Sequence, residues 1–257
     1  METINPNKKV IRIAFTLLVS ILFSTPVFSQ QLKVAVAANL QPVIIELQKD
    51  FAQKTGIQID PIVGSSGTLM AQMKNGAPFD VFLSADMAFP KSLFDAGLSL
   101  KAPTIYAYGS LILCSTNNIG FENWQRTLMT NRIKKIAIAN PDIAPYGQAA
   151  KTVLARKGIL DNINKKLVYG QSIAQVNTYI TTGVVQAAFT SLSLIKDPAN
   201  KTKLYWKIID PKTYPPIEQG VVVLKSSANK TDAEKFYNYI LSAPAKKIFL
   251  QFGYHTK

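Results

Sequence analysis

Five short turns carry the residues of this sequence best suited to chemistry: Ala38-Asn39, Ser65-Ser66-Gly67, Ser84-Ala85, Pro145-Tyr146-Gly147 and Gln171-Ser172-Ile173. Each is neutral, built of small or polar residues, and followed directly by a segment of helical periodicity. The first turn of a helix exposes main-chain N–H groups that lack intrahelical acceptors, at the positive end of the helix dipole, so each turn is an anion-binding element in outline. Asn39, Ser65, Ser66 and Ser172 add side-chain donors, while Gly64 and Gly67 allow close approach of the backbone. None of the five turns holds Lys or Arg. Neutral dipoles alone suit a strongly solvated oxyanion that must be held and then released, and they contain nothing that would react with it. The same residues have a plainer use, because Ser, Asn and Asp ahead of helices are ordinary N-caps. Asp86 is assigned to capping, since a carboxylate facing an anion would repel it. On pattern alone both uses of the turns stand.

Other chemistries are harder to build. The chain has one His, His255, and one Cys, Cys114, which cannot supply a nitrogen and sulfur metal site, an internal disulfide or a close Cys-His pair. A nucleophile elbow around Ser66 would need Gly at position 68, where the chain has Thr68, and His255 lies in the C-terminal tail. An enzyme is therefore not expected. Trp124 and Trp206 read as packing residues, and Cys114 as a small buried hydrophobe.

The elements that must position the turns follow an α/β rhythm, in which short apolar runs alternate with amphipathic segments. Leu32 to Ala37 reads as a strand, and Gln41 to Lys54 as a helix with Pro42 in its first turn and Gly56 as its stop. The unit repeats at Ile57 to Val63 with Thr68 to Asn75, and at Asp80 to Leu83 with Met87 to Asp95. Further units start at Ile136 and Leu167, each leading through its turn to a helix, and Val184 to Thr190 reads as another strand. Tyr205 to Ile208 and Pro211 to Pro216 look like an irregular connection. A capping box, Thr231-x-x-Glu234, is expected to open a helix, with a last helix after Pro244. The layout implies two α/β lobes, each a largely parallel sheet flanked by helices, with a ligand in the cleft outside the strand C-termini. Two long apolar runs, 105–115 and 217–224, are the expected crossings. They divide the chain into lobe 1, residues 30–108 plus 225–257, and lobe 2, residues 109–224.

The N-terminus bears on location. Lys8, Lys9 and Arg12 precede an apolar run from Ile13 to Phe23, and Val27 and Ser29 are placed like the small residues before a signal-peptidase site. Residues 1–29 read as a removed signal peptide, since the run is too short to span a hydrocarbon core of ~30 Å. The formal net charge of +14 asks for an acidic partner or a soluble anion, and an exported chain does not meet nucleic acid.

At these same turns the sequence takes on a family character. Val36-Ala37-Ala38-Asn39-Leu40, Gly64-Ser65-Ser66-Gly67-Thr68-Leu69, the stretch Asn75 to Asp86, Asn140-Pro141 with Ala144-Pro145-Tyr146-Gly147, and the close Phe249 to Tyr254 resemble the periplasmic molybdate-binding proteins of ABC importers. The resemblance runs in order from Leu32 to Tyr254. It implies a type II periplasmic-binding-protein fold that holds tetrahedral molybdate or tungstate between lobes through hydroxyls and main-chain amides. Carried over by motif, the donors fall on Asn39, where many members have Ser, on Ser66, on the N–H of Ala85, on Tyr146 and on the N–H of Ile173. Some members place a Tyr after the strand that here ends Ala187-Ala188-Phe189-Thr190, so that Thr190 is a further candidate unless Tyr146 carries that role alone. The resemblance also implies no cofactor and no protein ligand on the metal, which enters only as the oxyanion. It implies a monomeric periplasmic protein that delivers to a membrane permease. Sulfate or phosphate on the same fold is the alternative ligand.

Overall fold

The computed structural model describes residues 31–256, so the expected signal peptide lies outside the described residues. The chain begins with β1 (Leu32–Ala37), a 3-10 turn at Ala38–Leu40, α1 (Gln41–Thr55), β2 (Ile59–Gly64), α2 (Ser66–Lys74), β3 (Val81–Leu83), α3 (Ala88–Asp95) and β4 (Thr104–Gly109). Beyond Ser110 follow β5 (Leu111–Ser115), α4 (Trp124–Met129), β6 (Ile136–Ala139), α5 (Pro145–Arg156), α6 (Leu160–Ile163), β7 (Leu167–Gly170), α7 (Ile173–Thr181), β8 (Ala187–Ser191), α8 (Ser193–Lys196) and β9 (Tyr205–Ile208). The chain closes with β10 (Ile217–Val223), α9 (Lys230–Ile240) and α10 (Ala243–Gln251).

Two five-stranded sheets result, in the orders β2-β1-β3-β10-β4 and β7-β6-β8-β5-β9. In the first, β1 is parallel to β2 and β3, and β10 runs antiparallel to both β3 and β4. The second repeats the plan, with β6 parallel to β7 and β8, and β5 antiparallel to β8 and β9. In each sheet four strands run one way, the largely parallel arrangement expected, and the fourth in order, β10 or β5, runs against them because it is a strand the chain uses on passing between sheets.

One crossing falls inside its expected run and the other does not. The run 105–115 breaks at Ser110 into one strand for each sheet, and the run 217–224 is no crossing at all. It forms β10 inside the first sheet, so the return passes through 209–216. Tyr205 to Ile208, expected as irregular, is the edge strand β9, with Trp206 39% and Ile208 45% exposed. An edge strand this short and this exposed lacks the buried apolar run that marks interior strands.

Alternation along the strands builds the cores. Val34, Val36, Val81, Leu83, Val221 and Val223 face α1, α9 and α10, where Phe51, Phe236 and Phe249 fill the layer. Ala35, Phe82 and Val222 face the other way, against Leu69 and Met73 of α2 and Leu93 of α3. A third core surrounds the second sheet and takes in Ala37, Ala38 and Ala85 of the first half, so apolar packing is continuous through the junction. Pro42 lies in the first turn of α1, and Gly56, at φ 72°, ends that helix as expected. The capping box at Thr231 does not form: the cap of α9 lies two residues earlier, at Asn229, which accepts from the Asp232 N–H at 3.1 Å.

Candidate functional site

The parallel strands of both halves end toward the junction, and the turns that follow them converge on one narrow cavity of about 10 Å³. It is lined by Ala37 at the end of β1, Ala38 and Asn39 just after it, Ser65 and Ser66 at the start of α2, Ala85 after β3, Ala144 to Tyr146 at the start of α5, and Ile173 at the start of α7. All five turns are represented. The space is about that of one water molecule and far below that of an organic-ligand pocket. The halves touch at its edge, where the Gly67 N–H donates to the Ile143 carbonyl at 2.9 Å. A Cβ on Gly67 would stand 2.8 Å from the Ile143 Cα, so only glycine allows this approach.

Ser66 is the donor best placed for an anion. Its Oγ accepts from the Ala85 N–H at 3.0 Å, and the serine is 1% exposed. With a lone pair so engaged, the hydroxyl proton is the part of the group left to donate. Ala85 also lines the cavity, and in this structure its N–H is bonded to Ser66. Tyr146 and Ile173 stand at the second and first positions of their helices, where main-chain N–H groups have no intrahelical acceptor. Both residues are buried. The Tyr146 hydroxyl lies behind the cavity, against Gly109, which is not a lining residue.

Asn39 lines the cavity with a side chain already committed. Its Nδ2 donates to Gln219 Oε1 at 2.8 Å and to the Tyr254 hydroxyl at 3.0 Å. Its carbonyl accepts from Tyr254 and from Ser193, each at 2.7 Å. Asn39 therefore presents its main chain to the cavity, in a 3-10 turn fixed from both halves. No motif contains Gln219 or Ser193, and Tyr254 stands in the closing motif without a role assigned to it; the partners stand 180, 215 and 154 residues from Asn39 in sequence.

The plainer capping use holds for two of the serines. Ser65 Oγ accepts from the Thr68 N–H and Ser172 Oγ from the Gln175 N–H, at 3.4 and 3.3 Å. Asp86 caps as expected, accepting from the Phe89 N–H at 3.2 Å, and burial raises its carboxyl above the usual range. Thr190 is not brought to the cavity. It is fully buried in β8, and its hydroxyl donates to Asn177 Oδ1 of α7, away from the lining residues. Side-chain direction in a strand is set by register, which the motif did not specify.

The electrostatics of the lining are those of neutral dipoles. No Lys, Arg, Asp, Glu or His is among its residues. Burial pushes the Tyr146 phenol well above its ordinary range and the Tyr254 phenol up to about 12, so both stay protonated near neutrality. Among the described residues no cluster of three or more His, Cys, Asp or Glu could hold a metal ion.

Comparison with known proteins agrees with this arrangement. A family model described as bacterial extracellular solute-binding protein matches residues 32–255. The chain is 32% identical to the molybdate-binding protein ModA of Azotobacter vinelandii over 87% of this chain and 89% of that protein. It is also 32% identical to ModA of Rhodobacter capsulatus, over 90% of this chain and 91% of that one. The solved structure of the Azotobacter vinelandii periplasmic molybdate-binding protein superposes with a TM-score of 0.83 at 34% identity, covering 88% of this chain and all of that one. These relatives are binding proteins and not enzymes. With the matched model spanning nearly all the described residues, the chain belongs to the bacterial extracellular solute-binding protein family, among the relatives of ModA.

Proposed function

We propose that the protein captures molybdate, and tungstate with it, in the cavity between two lobes and delivers it to the membrane permease of an ABC importer. The observation that carries this reading is the convergence of five neutral donor turns, from both halves, on one small cavity without a charged lining residue. Ser66 Oγ–H and main-chain N–H groups at Asn39, Tyr146 and Ile173 are the direct donors, with Ala85 orienting Ser66. A tetrahedral dianion bridged by both sets favours one lobe separation, so a permease can tell loaded from empty protein. The sheet memberships support lobes of residues 31–109 with 217–257, and 110–216.

The basic, then apolar, N-terminus supports export through a cleavable signal peptide, residues 1–29, to the periplasm, and the protein acts there as a monomer. Molybdate and sulfate offer the same hydrogen-bond pattern, so cavity size is the discriminator between them. Titration calorimetry against molybdate, tungstate, sulfate and phosphate tests the assignment. Tight, comparable binding of the first two with sulfate and phosphate far weaker is the expected result. Preference for sulfate or phosphate would overturn it.

A further inference from the structure

Behind the cavity lies a layer of buried polar groups with two loose ends. Gln219 is completely buried in β10, at a bulge where the register against β4 shifts between Gln219 and Gly220. Bulges re-aim side chains, and this one turns Gln219 under the cavity floor. Its Oε1 accepts from Asn39 Nδ2 at 2.8 Å and stands 3.1 Å from the Tyr106 hydroxyl, whose proton is shared with the Ser84 carbonyl at 2.9 Å. With oxygen at that end of the amide both contacts are satisfied. The nitrogen, Nε2, is buried and has no hydrogen-bond partner.

The other buried side-chain atom without a well-formed hydrogen bond among the described residues is the Tyr146 hydroxyl, which lies beside Asn39 and Tyr254 while both are bonded elsewhere. The two border one spot, since a Cβ on Gly109 would lie 2.1 Å from the Tyr146 hydroxyl and 3.1 Å from Gln219 Nε2. They come from opposite halves: Gln219 from the first sheet, Tyr146 from α5 of the second, with Gly109 the last residue before the first crossing. Buried donors are rarely left unpaired, because desolvation without a partner is costly. Two such groups, adjacent across a junction whose spacing a ligand sets, are suited to meet in one state and part in another.

We propose that Gln219 is a positioning residue for the anion site, its Nε2 donating to the Tyr146 hydroxyl across the two halves at the lobe separation a bound oxyanion sets. The proposal rests on the oxyanion reading above. Through Oε1, Gln219 holds the Asn39 turn of the first half. Through Nε2, it holds the residue whose main-chain N–H opens α5 in the second. A single buried amide thus registers the two donor sets against each other, and glycine at position 109 leaves the room.

The test is a double-variant cycle of Tyr146→Phe, Gln219→Met and both together, read by molybdate calorimetry and by melting without anion. Each single variant is expected to weaken molybdate binding about tenfold, and the double variant no more than the weaker single. Tyr146→Phe should leave the ligand-free melting temperature little changed, because the hydroxyl makes no well-formed hydrogen bond and its polar neighbours Asn39 and Tyr254 are bonded to other groups, whereas a merely structural role would lower melting and affinity together. If Gln219→Met does not fold, Gln219→Asn, which draws the nitrogen back while keeping an amide, should show the same non-additive loss. Additive losses, or unchanged affinity in the Gln219 variants, would overturn the pairing alone. Wild-type protein that binds no oxyanion would overturn the underlying reading and the pairing with it.

Discussion

Ser66 and Asn39 both line the cavity, yet they serve it differently, and the difference is one of hydrogen-bond accounting. Ser66 has one lone pair occupied by the Ala85 N–H and a proton left over. Asn39 has both amide protons spent on Gln219 and Tyr254. Ser66→Ala should therefore weaken molybdate binding by about 1 to 3 kcal/mol, the cost of an unpaired anion oxygen together with an orphaned Ala85 N–H. Isothermal calorimetry on the purified variant reads this directly, and unchanged affinity would remove Ser66 from the site. Residues of this kind are legible in sequence when their role is local. Ser66, Tyr146 and Ile173 stand out because a helix start can be read from its own few residues. Asn39 is legible as a position but not in its bonding, since its partners come from β10, α8 and the C-terminal close. Thr190 was misplaced because nothing local says which way a strand residue points. Cys114 is the simple buried hydrophobe that was expected, its thiol pushed up to about 12 by burial.

At the scale of elements, the βα units were readable because each combines a buried run, a turn and a stop in one stretch of chain. Gly56 ends α1 at positive φ, and Pro42 and Pro145 sit in first turns where their missing N–H does no harm. The strands at the crossings were harder. β10 is an apolar run like any other, and only pairing with β3 and β4, contributed by residues more than a hundred positions away, makes it part of the first sheet. β9 was invisible for the opposite reason, as half of its side chains face solvent. The start of α2 is the element most exposed to a single change. Gly67→Ala would set a methyl 2.8 Å from the Ile143 backbone, pushing α2 away from the segment before α5. The expected result is molybdate affinity at least about tenfold lower, with the ligand-free melting temperature changed little, because the contact joins the halves and belongs to neither core. A variant that binds as tightly as wild type would mean that this contact does not set the lobe spacing.

For the molecule as a whole, the surplus of positive charge and the binding cavity are separate features. Residues 110–216 hold fourteen Lys and Arg against five Asp and Glu, whereas the cavity lining holds none of either sign. The charge can steer dianions toward the cleft over a Debye length of about 8 Å at physiological salt, and it does not hold them. Raising the ionic strength should accordingly slow molybdate association in stopped-flow measurements and leave dissociation unchanged. A salt-independent association rate would show that the charge does no steering. What holds the anion, on this account, is a set of neutral donors, with the metal touching no protein atom. The most direct test is a crystal structure of the protein grown with molybdate, with data collected at the molybdenum absorption edge. One strong anomalous peak is expected among Asn39, Ser66, Tyr146 and Ile173, with only oxygens of the anion in the metal's coordination sphere. A peak outside that cavity, or a side chain bonded directly to the metal, would contradict it.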